Sequence, residues 1–317
     1  MSRILVTGSK GTIGSWLVKI LLERGHDVFG IDLDHNLGEI GWEQNMSKTI
    51  FNYSRCDVSD FRQLERVFSK AGPFDYVYHT AAEFGRWNGE DYYEQVWRSN
   101  AIGTKNIIRL QERLGFKLIH FSSSEVYGDY PNTMIESVME DFEIKQMNDY
   151  ALSKWVNEQQ VRNSRIMYGT ETVILRLFNT YGPGEWYHPY RSVNCKFCYH
   201  ALHNIPVVVY RGHTRTSTFL EDTCKTIANV VDNFIPGEIY NIGGREHHDI
   251  ETLAELVWKH SGADPELIEH HDSEVLTTKD KVVDVSKSEK DLGHKNSISL
   301  DEGVKRTVEW MKDYYKI

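Results

Sequence analysis

Two stretches carry side chains that could do chemistry together: Phe121-Ser122-Ser123-Ser124-Glu125-Val126-Tyr127-Gly128 and, downstream, Tyr150-Ala151-Leu152-Ser153-Lys154. They offer hydroxyls, a carboxylate, a phenol and an ammonium, the parts needed to move protons while a cofactor moves a hydride. Tyr150 and Lys154 are four apart and share one face if their segment is helical. With 17 tyrosines in the chain, about one Tyr-x-x-x-Lys arises by chance, so the pair gains its meaning from its place after the serine stretch.

These side chains need a scaffold and a cofactor, and the first half of the chain predicts both. Ile4-Leu5-Val6 reads as a buried strand, Thr7-Gly8-Ser9-Lys10-Gly11-Thr12-Ile13-Gly14 as a glycine-rich turn, and Ser15 to Arg24, stopped by Gly25, as a helix. The glycines allow close approach of a pyrophosphate, and the helix N-terminus supplies free amides and a positive dipole end. The spacing is G-x-x-G-x-x-G, which differs from the general dinucleotide fingerprint. Asp27 to Asp32 reads as the second strand, and its terminal Asp32 stands 18 positions after Gly14. There a carboxylate would accept hydrogen bonds from an adenosine ribose and repel a 2′-phosphate, which favours NAD over NADP.

Strand and helix patterns keep alternating. Cys56-Asp57-Val58 follows a strand, a helix is expected from Asp60 to Ala71, a strand at 76–79, one long helix from about Tyr92 to Leu114, and a strand at 118–121 that delivers Ser122 to Glu125. Such alternation calls for an α/β fold, a Rossmann-type doubly wound parallel sheet whose ligands sit at the C-terminal strand ends.

Bulk properties narrow the partners. A chain of 317 residues with 40% hydrophobic content can bury a full core. A net charge of -10 and a pI near 5.8 argue against nucleic acid, so an anionic ligand has to be gripped locally. Four scattered cysteines suit a reducing compartment, and Cys195 and Cys198 make a single C-x-x-C expected on the core face of a helix. The paired histidines His247-His248 and His270-His271 complete no ligand spacing, and no metal site is expected. The opening residues run into a strand without the pattern of a secretory signal, and no apolar run approaches a membrane span. A cytoplasmic protein with no membrane contact is the expectation. No internal repeat or low-complexity linker is evident.

The chain resembles the extended short-chain dehydrogenase/reductases, in the branch that modifies nucleotide sugars. The resemblance rests on an ordered series: Thr7-Gly8-x-x-Gly11-x-x-Gly14, Asp32, Asp57-Val58, His79-Thr80-Ala81-Ala82, Asn100-Ala101-Ile102-Gly103-Thr104, Ser123 before Val126-Tyr127-Gly128, Tyr150-x-x-x-Lys154, and Arg176-Leu177-Phe178-Asn179-Thr180-Tyr181-Gly182-Pro183. It implies NAD held by Gly8, Gly11, Thr12, Ile13, Gly14, Asp32, Asp57, Val58, Thr80, Ala81, Ala82, Asn100, Tyr150 and Lys154. It also implies transient oxidation of a sugar at C4, with Tyr150 as base, Ser123 or less directly Ser124 bonded to the same oxygen, and the Lys154 and nicotinamide charges drawing the phenol toward neutrality. Glu125 is similar to the glutamate of 4,6-dehydratases and UDP-glucuronate decarboxylases, where it would take the C5 proton. The glucose dehydratases pair that glutamate with an acidic Asp, whereas this chain has Ser124, as in the Thr-Ser-Glu of GDP-mannose dehydratases and decarboxylases.

In the second half the resemblance implies a nucleotide-diphosphate sugar gripped by Glu83, Asn179, Arg191 and Arg215, arginine being the residue that clamps a diphosphate. A helix is expected from about Ser192 to His203 and a strand at 206–210, the stretch Glu238 to Gly244 resembles the family's last sheet strand, and a helix is expected from Ile250 to Ser261. The family's arginine before the segment containing Asp284 is missing, since Thr277-Thr278-Lys279-Asp280-Lys281 has only lysines, and this counts against decarboxylation. The expected layout is an NAD-binding domain over 1–178, with returning segments near 213–260, and a small C-terminal α/β substrate domain over 179–317, interleaved. A homodimer through 92–113 and 149–168 is implied. The first expectation for the reaction is a 4,6-dehydratase type, with UDP-glucuronate decarboxylation or C4 epimerisation as alternatives. Relatives that lost catalysis act as NAD-binding sensors or scaffolds, and the intact Ser123, Tyr150 and Lys154 argue against that role here.

Overall fold

A computed structural model describes residues 1–34, 39–40, 49–272 and 274–317. Apolar runs too short for a helix become strands of one parallel sheet, β1 (Arg3–Thr7), β2 (Asp27–Asp32), β4 (Tyr76–His79), β5 (Lys117–Ser123), β6 (Thr172–Leu177) and β7 (Ile239–Ile242), and the polar β3 (Asn52–Arg55) adds an edge strand. Their spatial order is β7-β6-β5-β4-β1-β2-β3, and every pairing is parallel. The order reverses between β1 and β4, which opens a crevice at the C-terminal ends of the strands.

Side-chain alternation within each strand feeds two faces. Ile4 and Val6 of β1 join α1 (Thr12–Glu23) and α6 (Leu220–Asn229) in one buried cluster. Leu5, between them, joins α2 (Phe61–Ala71), α3 (Gly103–Leu114) and α4 (Asp149–Tyr168) on the other face. A second core lies outside the sheet, where α5 (Val193–Leu202), α7 (Ile250–Ser261) and α8 (Leu300–Tyr315) enclose Tyr181, Val207, Val209 and Phe219. Cys195 and Cys198 are both fully buried there, and burial pushes both thiols up, so neither is a ready thiolate.

Three local departures bear on the site. The helix predicted from about Tyr92 to Leu114 runs from Tyr93 to Leu114 with one π-helical turn, Trp97–Ile102, ahead of α3, and a separate short helix, Arg86–Asp91, precedes it. The π turn lies where Asn100 is buried and bonded across to another segment. Helix α1 starts at Thr12 rather than Ser15, which brings Gly14 into its first turn. Strand β5 runs through Ser123, so Ser122 and Ser123 pair with Arg176 and Leu177 of β6.

That pairing rests on a buried polar network. Arg176 and Glu158 are both 0% exposed and form a two-point ion pair, Nε to Oε1 at 3.0 Å and Nη2 to Oε2 at 2.8 Å. Ser122 donates to the same carboxylate at 2.5 Å, and Arg176 also donates to the Tyr127 hydroxyl at 2.9 Å. The network ties β5, β6 and α4 together directly behind the serine turn.

Candidate active site

The end of β5 bends into a 3₁₀ turn, Ser124–Tyr127, and the Ser123 hydroxyl caps it by accepting the Glu125 amide at 3.2 Å. Helix α4 starts opposite, its N-terminus capped by the Asn148 side chain, which accepts the Ala151 amide at 2.9 Å. This start places Tyr150 in the first turn and Lys154 one turn on. The Tyr150 phenol hydrogen-bonds the Ser123 side chain, so residues 27 apart in sequence meet at one point of the cavity wall. Lys154 donates to the Phe121 carbonyl at 2.9 Å, and its ammonium lies 5.9 Å from the Tyr150 ring centre.

The electrostatics differ from the expected pull toward phenolate. Burial pushes the Tyr150 phenol up to about 12, the Ser123 bond acting against this and the Glu125 charge with it. Lys154 is turned to the strand carbonyl and is not among the groups that lower it. Burial brings Lys154 itself down to about 8. Beneath it His79 and His120 lie with ring centres 6.1 Å apart, both held neutral by burial and by the Lys154 charge.

Glu125 sits in the cavity wall against Lys281, whose ammonium donates to its carboxylate and, at 3.3 Å, to the Ser124 hydroxyl. Burial would raise the Glu125 pKa, but Lys281, Arg215 and Asn148 more than reverse this and hold the carboxyl below its usual range. Lys281 stood in the sequence only as a weak substitute for an arginine. Its proximity to Glu125 joins residues 156 apart, for which local spacing carries no signal.

Around this centre runs a cavity of about 760 Å³ at the C-terminal strand ends. Every residue predicted to be catalytic, cofactor-binding or substrate-binding lines it, with one exception. Asn100 stands behind the wall, where its amide accepts from the Glu83 amide at 2.8 Å and donates to the Glu83 carbonyl at 3.0 Å and Ser153 Oγ at 3.0 Å. Its position fits a clamp that holds the Glu83 loop to α4 rather than a direct contact.

The glycine loop has the form a dinucleotide needs. A Cβ on Gly14 would meet the Gly8 carbonyl oxygen at 2.0 Å, and one on Gly8, where φ is +65°, would meet the backbone of Ala81 at 2.8 Å. Helix α1 opens at Gly11 with no side-chain cap and no acidic residue in its first turn, which leaves amides for an anion. Asp32 ends β2 at the cavity, its carboxylate fixed by the Lys10 amide at 2.9 Å and the Leu33 amide at 2.7 Å. Asp57 instead closes its own turn, accepting from Ser59 N and Oγ at 2.8 and 2.7 Å.

At the far end, Arg215 is buried with Nη1 donating to the carbonyls of Thr214, Thr278 and Lys279 at 2.6, 3.1 and 3.2 Å. Arg191 lies 4.2 Å over the Phe84 ring, and its Nε is buried without a partner. Arg86, a residue the sequence did not single out, bonds to Glu274 and the Val275 carbonyl, joining two segments that line the cavity. These cations gather locally on a chain of net charge -10. His247 and His248 are engaged separately, with Asp280 at 2.9 Å and Ser217 at 2.9 Å. Among the described residues no three His, Cys, Asp or Glu side chains converge as metal ligands, and no helix is long and apolar enough to cross a membrane.

The model of the NAD dependent epimerase/dehydratase family matches residues 4–243. A putative UDP-glucose 4-epimerase of Methanocaldococcus jannaschii is 31% identical, with 98% of each chain covered. The dTDP-glucose 4,6-dehydratase of Neisseria meningitidis serogroup B is 27% identical over 99% of this chain and 94% of its own length. Among solved structures, the Thermus thermophilus UDP-glucose 4-epimerase complex with NAD superposes with a TM-score of 0.84 at 26% identity, covering 98% of this chain and 99% of that one.

Proposed function

The chain belongs to the NAD dependent epimerase/dehydratase family, and on that premise we propose that it modifies a nucleotide-diphosphate sugar by transient oxidation at C4 followed by elimination across C5 and C6, a 4,6-dehydratase-type reaction. NAD, the cofactor of the family, supplies the hydride acceptor that this oxidation requires. Gly8, Gly11 and Gly14 with the start of α1 hold its pyrophosphate, and Asp32 holds the adenosine ribose.

The protein's own groups do the proton chemistry. Tyr150 takes the C4 hydroxyl proton, Ser123 bonds the same oxygen, and Lys154, held on the Phe121 carbonyl, keeps its ammonium 5.9 Å from the Tyr150 ring centre. Tyr150, raised by burial, would be lowered by the positive charge of an oxidised nicotinamide held beside it. Once C4 is a carbonyl, the C5 proton is acidified and Glu125 removes it. Arg215, Arg191 and Asn179 grip the nucleotide portion, and Glu83 the sugar. The observation that carries the elimination reading is an ionised carboxylate, Glu125, in the cavity wall beside Ser123 and Tyr150.

A second reading, C4 epimerisation, is favoured by one feature: Lys281 already occupies Glu125, as it would a carboxylate that takes no proton. Holoprotein given a panel of UDP-, dTDP-, GDP- and CDP-sugars separates them by product mass. Loss of water from a hexose is the expected result, loss of carbon dioxide from a uronate marks decarboxylation, and an unchanged mass with a new sugar marks epimerisation. Absence of any turnover sinks the enzymatic reading. Tyr150→Phe is expected to abolish formation of reduced nicotinamide, and Glu125→Gln to retain it while losing product.

We further propose that the protein acts in the cytoplasm as a homodimer. Exposed Tyr93, Ile102, Leu152 and Met167 on the segments 92–113 and 149–168 support that pairing. An elution mass of one chain at micromolar concentration would exclude the dimer.

A further inference from the structure

Elimination at C6 needs an acid as well as a base, because hydroxide leaves poorly unless protonated. The residue beside Glu125 is Ser124, a hydroxyl with no acidic proton to give. We propose that Lys281 is the general acid of the elimination, giving the proton with which the C6 oxygen departs as water while Glu125 receives the C5 proton.

Three observations carry this assignment. First, the Lys281 ammonium lines the cavity at the reaction centre, contacting both Ser124 Oγ at 3.3 Å and the Glu125 carboxylate. Second, it is held there: its side chain is 2% exposed, and the segment that follows is pinned by Met134, whose amide donates to the Val282 carbonyl at 2.8 Å and whose carbonyl accepts the Asp284 amide at 3.1 Å. Third, the other groups facing Glu125 fail as acids. Arg215 does not release a proton, Asn148 has none to give, and Tyr150, which burial pushes up to about 12, holds its proton more tightly than an ammonium that burial lowers. Burial also pushes the Lys281 ammonium down, against the pull of Glu125, which makes it a readier donor than a surface lysine.

The step balances on a C4-oxidised hexose. The C5–H bond breaks, its proton goes to Glu125 and its electrons form the C5=C6 bond. The C6–O bond breaks, and the oxygen leaves with a proton from Lys281 as water. When C6 is reduced again, Glu125 returns a proton to C5. Lys281 then lacks the one proton that Tyr150 gained from the C4 hydroxyl, and exchange with water restores both.

The assignment rests on the 4,6-elimination reading, and the experiment separates the two. Holoprotein is given the nucleotide hexose that it dehydrates, in deuterated water, and three quantities are followed: reduced nicotinamide, deuterium at C5 and dehydrated product. Lys281→Met is expected to keep the first two and lose about 10²- to 10⁴-fold in product, the usual worth of a general acid. Its 6-fluoro analogue loses fluoride without protonation and should react at the wild-type rate. Lys281→Arg keeps the charge on Glu125, so it would rescue a residue that merely positions the carboxylate and is expected not to rescue the acid; it also carries the test if Lys281→Met does not fold. Full product formation by Lys281→Met, loss of C5 exchange in parallel with product, or rescue by arginine overturns the assignment while leaving the elimination reading intact. A wild-type protein that releases no water from any hexose overturns both.

Discussion

Removing Arg176 tests whether the buried network behind the serine turn sets the site. In Arg176→Met the Glu158 carboxylate loses two charge-assisted bonds, at 3.0 and 2.8 Å, and keeps the Ser122 hydroxyl. Both partners are 0% exposed, so no water replaces the guanidinium. An orphaned buried charge of this kind costs about 3–5 kcal/mol. Unfolding entropy near ~2.1 cal/mol/K per residue gives ~0.67 kcal/mol/K for the 317-residue chain, so the melting temperature should fall by about 4–8 °C. Replacing both members, as Arg176→Met with Glu158→Leu, removes the orphaned charge and should recover part of the loss. Activity responds separately, because Ser122 adjoins Ser123: displacing the turn by about 1 Å would cost on the order of 10²-fold in kcat. Differential scanning calorimetry and steady-state rates on the preferred sugar supply both readouts. A single variant melting within about 1 °C of the wild type, against the ~3 kcal/mol floor, would refute the view that this pair holds β5, β6 and α4 in register.

Two further outcomes follow from the site. Lys154, lowered to about 8 from 10.5, loses its proton as pH rises through that value, so kcat/KM should decline on an alkaline limb near pH 8 that Lys154→Arg moves upward. The same shift means that the unfolded chain binds more protons between about 8 and 10.5, so this residue's contribution to stability rises with pH across that window, a slope that denaturant midpoints should show weakened in Lys154→Met. Gly14→Ala puts a methyl group 2.0 Å from the Gly8 carbonyl oxygen and should abolish the stabilisation by NAD, about 2.7 kcal/mol for wild type at 100 times Kd; an unchanged thermal shift would contradict the phosphate cradle.

What could be read from the chain beforehand divides along a physical line. The parallel sheet was legible because its strands other than the polar edge strand β3 carry local apolar runs, and the glycine loop because a tight turn on a phosphate demands residues without Cβ at fixed spacing. The Ser123, Tyr150 and Lys154 centre was legible as an order of motifs, each uninformative alone. The π turn at 97–102 within the predicted helix was not, since it differs from an α turn by one residue in hydrogen-bond register, and the side chain it accommodates, Asn100, takes its partners from Glu83 and Ser153. The surroundings of Tyr150 were legible only in part: spacing puts Lys154 one turn away, whereas its ammonium is turned to Phe121 and burial is the largest influence on the phenol. Lys281 shows the limit most clearly. One lysine in a polar loop has no pattern of its own, and its chemistry arises only because the bridge between Met134 and Val283 carries that loop across to the end of β5. On the proposed assignment, the group that completes the elimination comes from the half of the chain that Ser123, Tyr150 and Lys154 do not occupy, brought to them only by the fold.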